Sequence, residues 1–157
     1  MTCVAPACSA DDATTRSLLD EWKRLTVAGL QASQAHCAAH ALTWHVQALR
    51  VANQLLQPCH GGADDDRLAA LIVAHLNIAD CYTDLGQPEE AMQCVSCAHH
   101  KLLGLVHGEA TPVPLRQAAY RHLHQTFAAL IEHGGAWAGT APPSYPPPPP
   151  ASRSLLH

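Results

Sequence analysis

Aromatic residues make up only 4% of this 157-residue chain. With one Phe, three Trp and three Tyr, it has little of the bulky surface from which sheets are built. Hydrophobic residues still reach 48%. The apolar mass is therefore Ala and Leu, both strong helix formers. Charge is sparse as well: charged residues are 14%, and the formal net charge is −4 with the 12 His counted as neutral. There is no Lys/Arg cluster, which argues against a nucleic-acid footprint. No run approaches the roughly 20 apolar residues of a membrane span. The start, Met1-Thr2-Cys3-Val4-Ala5-Pro6, has neither the basic nor the apolar region of a secretory leader. The expectation is a cytoplasmic protein with no membrane association, its seven Cys mostly reduced.

Catalytic signatures are missing too. There is no G-x-S-x-G elbow, no phosphate-cradling Gly loop and no H-E-x-x-H. Asp64-Asp65-Asp66 reads better as a helix start than as a Mg²⁺ cluster. The expectation is a chain that is not an enzyme and carries no cofactor.

What remains is helical periodicity. Residues 1–13 read as a disordered lead, 14–135 as one helical domain and 136–157 as a Pro-rich tail. The first helix spans about Thr14 to Gln34, with Leu18, Trp22, Leu25 and Gly29 on one face. The second spans about Cys37 to Leu56, with Ala41, Trp44, Ala48, Val51 and Leu55 as its stripe, and Pro58 and Gly61-Gly62 end it. Asp64 to Asp66 supply negative charge and a side-chain cap for the third. That helix carries Leu68, Leu71, Ile72, His75, Ile78, Ala79, Tyr82 and Leu85, and Gly86 closes it in a left-handed conformation. Pro88 opens the fourth helix, which ends near Gly104 to Gly108. The fifth starts at Thr111-Pro112-Val113-Pro114 and stops at Gly134-Gly135.

The stretch from His75 to Ala98 resembles one tetratricopeptide repeat, a 34-residue helix-turn-helix with small and bulky residues at fixed places. Ile78 and Ala79 match the Leu-Gly pair of its first helix, Tyr82 its aromatic and Gly86 its turn. Ala91 and Ala98 match the two small positions of its second helix. Val95 stands where a larger aromatic is usual, His75 replaces the usual Trp, and the final Pro is absent. A weaker copy lies about 50 residues earlier at Leu25, Ala28, Gly29, Ala41 and Ala48, with a turn near Gln34 to His36. The resemblance covers about Leu18 to His133 and is similar to small uncharacterised helical-repeat proteins of proteobacteria. It implies an all-α fold of about five helices: antiparallel hairpins stacked as a short tetratricopeptide-like array, with a capping C-terminal helix. It implies no activity.

In such an array the first helix of each hairpin lines a concave groove. On that reading Lys23, Thr26, Leu30 and Gln34 face the groove from the first helix, and Leu76, Asp80, Thr83 and Asp84 from the third. Arg116, Tyr120 and His124 face it from the fifth. This mixed surface suits a peptide or helix of an unknown protein partner. Self-association through the uncapped end is the other possibility.

A metal- or redox-responsive protein is the alternative function, resting on Cys94, Cys97, His99 and His100. Cys94 and His100 lie about 9 Å apart along a helix, too far to share one ion. Cys94 and Cys97 are placed to chelate only if another helix adds ligands, and no second C-x-x-C exists. No metal site is expected. Cys94 also lies some six residues into its helix, away from the positive end that lowers a thiol pKa. The tail, with Pro146 to Pro150 in sequence, reads as extended polyproline or disordered, or as a docking ligand anchored by Tyr145.

Overall fold

The computed structural model describes the backbone of residues 7–58 and 60–140, and the side-chain surroundings of residues 13–58 and 60–134. Five helices follow in order: α1 (Ala7–Gln34), α2 (Ala38–Leu55), α3 (Asp64–Asp84), α4 (Pro88–His107) and α5 (Val113–Thr140). Among the described residues there is no strand. Each helix packs on the next, and α3 also touches α1 and α5. Among the described residues neither α1 nor α2 packs closely against α4 or α5, although the long Lys101 side chain of α4 reaches Asn53 Oδ1 on α2 at 3.3 Å. The expected all-α, five-helix array is therefore what the described residues adopt, and it is open rather than closed into a bundle.

Two boundaries differ from the sequence reading. Helix α1 starts at Ala7 rather than about Thr14. After Pro6 no residue before Thr14 interrupts a helix, so the expected lead is helical from Ala7. Helix α5 continues through Gly134-Gly135 to Thr140. A mid-helix Gly costs about 1 kcal/mol relative to Ala, which weakens a helix without ending it. Residues 1–6 of the expected lead and the tail from 141 lie outside the described residues. The start of α3 differs as well. Its N-cap is Ala63, at φ 47°, with no side-chain cap. Asp64, Asp65 and Asp66 occupy the first turn instead, where the helix dipole favours them.

The turns inside the two hairpins are built alike. In the first, the amides of Ala35, His36, Cys37 and Ala41 donate to the carbonyls of Gln31, Ser33, Ala32 and Cys37. In the second, the amides of Leu85, Gly86, Gln87 and Ala91 donate to Cys81, Thr83, Tyr82 and Gln87, fifty residues on at every position. Both turns pass through the left-handed region, at His36 (φ 59°) and Gly86 (φ 74°). Gly adopts it freely, whereas His36 does so against a steric penalty.

Arginines organise the loops between hairpins. Arg67 is only 4% exposed. Its Nε donates to the Gly62 carbonyl at 2.8 Å, and its Nη1 to those of Leu55 at 2.8 Å and His60 at 3.2 Å. Its Nη2 pairs with Asp64. Arg116 does similar work one hairpin later, donating to the Gly108 carbonyl at 2.9 Å and the Thr111 carbonyl at 3.2 Å. A bidentate fork suits this task because it reaches several carbonyls from one stem.

The core is assembled from small residues. Ala41, Ala48 and Ala52 on α2, Ala74 and Ala79 on α3, Ala98 on α4, and Ala118 and Ala119 on α5 are fully buried. Larger side chains fill the gaps in three clusters. Leu68, Ile72, Leu102 and Leu115 join α3, α4 and α5. Leu55 and Leu71 join α2 and α3 beneath Leu18 and Trp22. Ala79, Ala91, Val95 and Ala129 form the third.

Helices come very close at Gly29, where a Cβ would lie 2.5 Å from Cε1 of His45. The His45 ring is buried, and its Nδ1 has no hydrogen-bond partner. Fifty residues later the same places hold Ala79 and Val95, where the smaller ring-free side chain leaves room for a methyl. Gly29→Ala is therefore expected to cost about 1–3 kcal/mol through overpacking, read as a lower Tm. Adding His45→Val, which installs the Ala79/Val95 pairing, should recover most of that loss. An unchanged Tm for Gly29→Ala alone would show that the ring does not pack there.

His75 is buried on α3, its Nε2 3.4 Å from Lys101 Nζ and its Nδ1 unpartnered. Burial, reinforced by the Lys101 charge, pushes its pKa down to about 4. Burial lowers that of His45 as well. The unfolded imidazole takes a proton near pH 6.5, while the folded one resists until about pH 4. Stability is thus intact above pH 6.5 and falls as pH drops through that window, by about 3 kcal/mol from His75 alone. Leu25 stands fifty residues before His75. In denaturant titrations at pH 7 and 4.5, His75→Leu should lose markedly less stability on acidification than the wild type. An equal loss would remove His75 from the account.

Candidate functional site

Two surface features hold most of the residues singled out by sequence. The first is a cleft of about 340 Å³ between the C-terminal halves of α1 and α3. Leu30 and Ser33 come from α1, and Asn77, Asp80, Thr83 and Asp84 from α3, with His45 of α2 also lining it. They converge because each of the two helices carries polar residues on the turns nearest the hairpin loop, where the larger core side chains have given out. Thr83 Oγ1 donates to the Ala79 carbonyl at 3.0 Å, which fixes its rotamer. Asn77 differs: its Nδ2 is out of contact with solvent and has no partner. A lone buried amide donor costs about 1–3 kcal/mol until something accepts from it.

The cleft is acidic. Loss of surrounding water raises the Asp80 pKa, and the Glu132 and Asp84 charges add to the rise, while His133, with Nε2 3.8 Å away, opposes it. The C-terminal end of α3 contributes further negative potential.

The second feature is a recess of about 550 Å³ where α4 meets the outer side of α5, lined by His99, Tyr120, Arg121, Leu123, His124 and Phe127. His99 Nδ1 lies 2.7 Å from Thr126 Oγ1, which anchors one wall. Arg121 reaches across to both oxygens of Asp65 at 2.8 and 3.0 Å.

The sequence-derived residues therefore separate. Asp80, Thr83 and Asp84 meet Leu30 in the cleft, whereas Tyr120 and His124 share the recess on α5. Lys23 is exposed on α1 outside both. Leu76 packs among the buried residues of two core clusters, and Arg116 holds the loop before α5. Gln34 is exposed, and Thr26 is buried with its Oγ1 unpartnered. Ser33, His45 and Asn77 were not singled out for the cleft. For Ser33 and Asn77 the one signal was helical register beside Leu30 and Asp80, and His45, on α2, carried none. Phe127 carried a stronger one, its seven-residue spacing from Tyr120.

A wider pocket of about 690 Å³ lies between the loops after α2 and α4, with Leu56, Pro58, Leu105, Pro112 and Leu115 on its walls. Arg67 also lines it, but its donors already serve loop carbonyls and Asp64.

Two of the thiols are held protonated. Burial raises the pKa of Cys81 and of Cys94, so both resist forming the thiolate that redox and metal chemistry need. Cys37, Cys81, Cys94 and Cys97 are free. Among the described residues no three His, Cys, Asp or Glu side chains are grouped to hold a metal ion.

These features define the class: an all-α array of consecutive helix hairpins, with shallow clefts between helices and no described helix long and apolar enough to cross a membrane. The chain belongs to the family described as protein of unknown function (DUF2753), whose family model matches residues 20–137. No curated protein and no solved structure matches it.

Proposed function

We propose that this chain is a non-catalytic protein-interaction module that takes a basic peptide or helix in the cleft between α1 and α3. The observation that carries this reading is the unpartnered Nδ2 of Asn77 in a cleft edged by Asp80 and Asp84. A turn of the Asn77 amide into the cleft would let a peptide carbonyl accept from the buried donor, and cationic side chains would pair with the two carboxylates. Leu30, 44% exposed at the rim, adds apolar contact. The architecture we assign to the hairpins is tetratricopeptide-like. The shared turn geometry at a fifty-residue interval and the Ala79, Ala91 and Ala98 contacts support it. Scaffolds of this kind use the inner helix of each hairpin for binding.

The test is selection from a random peptide display library on the intact chain, followed by chemical-shift mapping of the enriched peptides. Basic sequences are expected to be enriched and to shift Leu30, Asn77, Asp80 and Asp84. Asp80→Asn with Asp84→Asn should weaken them about tenfold, or 1.4 kcal/mol, with helicity unchanged by circular dichroism. Enrichment without charge preference, or shifts confined to other faces, would reject the cleft.

A further inference from the structure

One side of α5 is buried: Leu115, Ala118, Ala119, Thr126 and Ala129 are each at most 8% exposed and lie toward the preceding hairpin. The opposite side is bare. Val113 (59% exposed), Tyr120 (70%), Phe127 (58%) and Ile131 (62%) point outward. With Gln117 and His124 between them, they form one row, Val113-Gln117-Tyr120-His124-Phe127-Ile131. The steps of four, three, four, three and four residues are those of a two-helix seam. Helix α1 is covered by α2, and α3 by α4. Helix α5 ends the array, and no described helix covers its outer side. Four such exposed side chains on one face are not ordinary scatter.

We propose that the outer face of α5 is a homodimer interface, in which two copies of this chain pack their α5 helices antiparallel across a twofold axis. What the bare face lacks is a helix presenting an apolar row at this spacing, and each copy has one such helix to spare. Reversed about its midpoint, the row meets itself in full. Val113 faces Ile131, Gln117 faces Phe127 and Tyr120 faces His124, so every layer pairs two different side chains. The recess beside the row, between His99 and Phe127, receives an aromatic side chain from the other copy.

Charge fits the same arrangement. Arg121 flanks the row near the axis, and Asp65 accompanies it at 2.8 Å. Two such pairs brought together by the axis place each guanidinium beside the other copy's carboxylate rather than against a bare like charge. Area fits as well. Aromatic residues bury roughly 150–250 Å² each, so two Tyr120, two Phe127 and their aliphatic neighbours remove on the order of 1,000 Å², the threshold for a specific interface. The contact is isologous and closes at two copies.

The experiment is sedimentation velocity of the full chain from low to high micromolar concentration. A dimer of the 16.7 kDa chain is expected to form reversibly. Phe127→Glu, on an exposed position, should keep the helical circular dichroism and weaken dimerisation at least tenfold. Adding Gln117→Lys to that variant places opposite charges in facing layers and should restore much of the association. A monomer at every concentration would overturn the proposal, as would a dimer indifferent to Phe127→Glu. Failure of Gln117→Lys to restore association would overturn the antiparallel register. A chain that dimerises only after residues 141–157 are removed would overturn it in favour of its own tail as the occupant.

Discussion

The structure depends on helices coming close enough to make a core from alanine. With few aromatics, the chain cannot span wide gaps between helices. It closes them instead by lining contacts with Ala41, Ala48, Ala79, Ala98, Ala118 and Ala119, all fully buried. Each such contact removes little apolar area by itself, and its strength lies in dispersion between well-fitted surfaces. Tolerance is correspondingly small. Gly29 against the His45 ring is the extreme case, with no room for even one added methyl. The larger residues, Leu55, Leu68, Leu71, Ile72 and Leu102, then fill the spaces that the alanine contacts define.

The same economy shapes the surfaces. An open array leaves the last helix half covered and leaves shallow clefts where side chains shorten toward the hairpin turns. Polar groups fall into those clefts without full satisfaction, as Asn77 does. The arginine forks at Arg67 and Arg116 hold the loops that join successive hairpins. Arg67 Nε and Nη1 and Arg116 Nη2 are spent on backbone carbonyls, which ties these residues to loop geometry.

Much of the fold was legible in the residues. Gly86-Gln87-Pro88 announces a helix end and a new start, and the alanines at 79, 91 and 98 mark close contacts. The turn at His36 was fainter because no glycine signals its left-handed backbone, although its hydrogen bonds match those at Gly86. Periodicity was less able to say which face of a helix is free. Helix α3 is covered on two sides, so Leu76, read as groove-facing, is half-buried against the core. Arg116 looked like a groove charge because loop carbonyls have no sequence signature. On α5 two stripes compete, one of small residues and one of large. The small stripe wins the interior because the preceding hairpin needs close approach, and Tyr120 and Phe127 are left outside.

The claim on which all of this rests is that the helices stack in chain order without closing into a bundle. Methyl NOE spectroscopy on Ala- and Val-labelled protein tests it most directly. The account predicts cross-peaks among Ala79, Val95 and Ala129, which join α3, α4 and α5 in one cluster, and none between Ala48 on α2 and Ala98 on α4. An Ala48–Ala98 cross-peak would contradict it, because α2 and α4 touch through the long Lys101 side chain on Asn53, whereas their buried alanine faces meet only in a closed bundle.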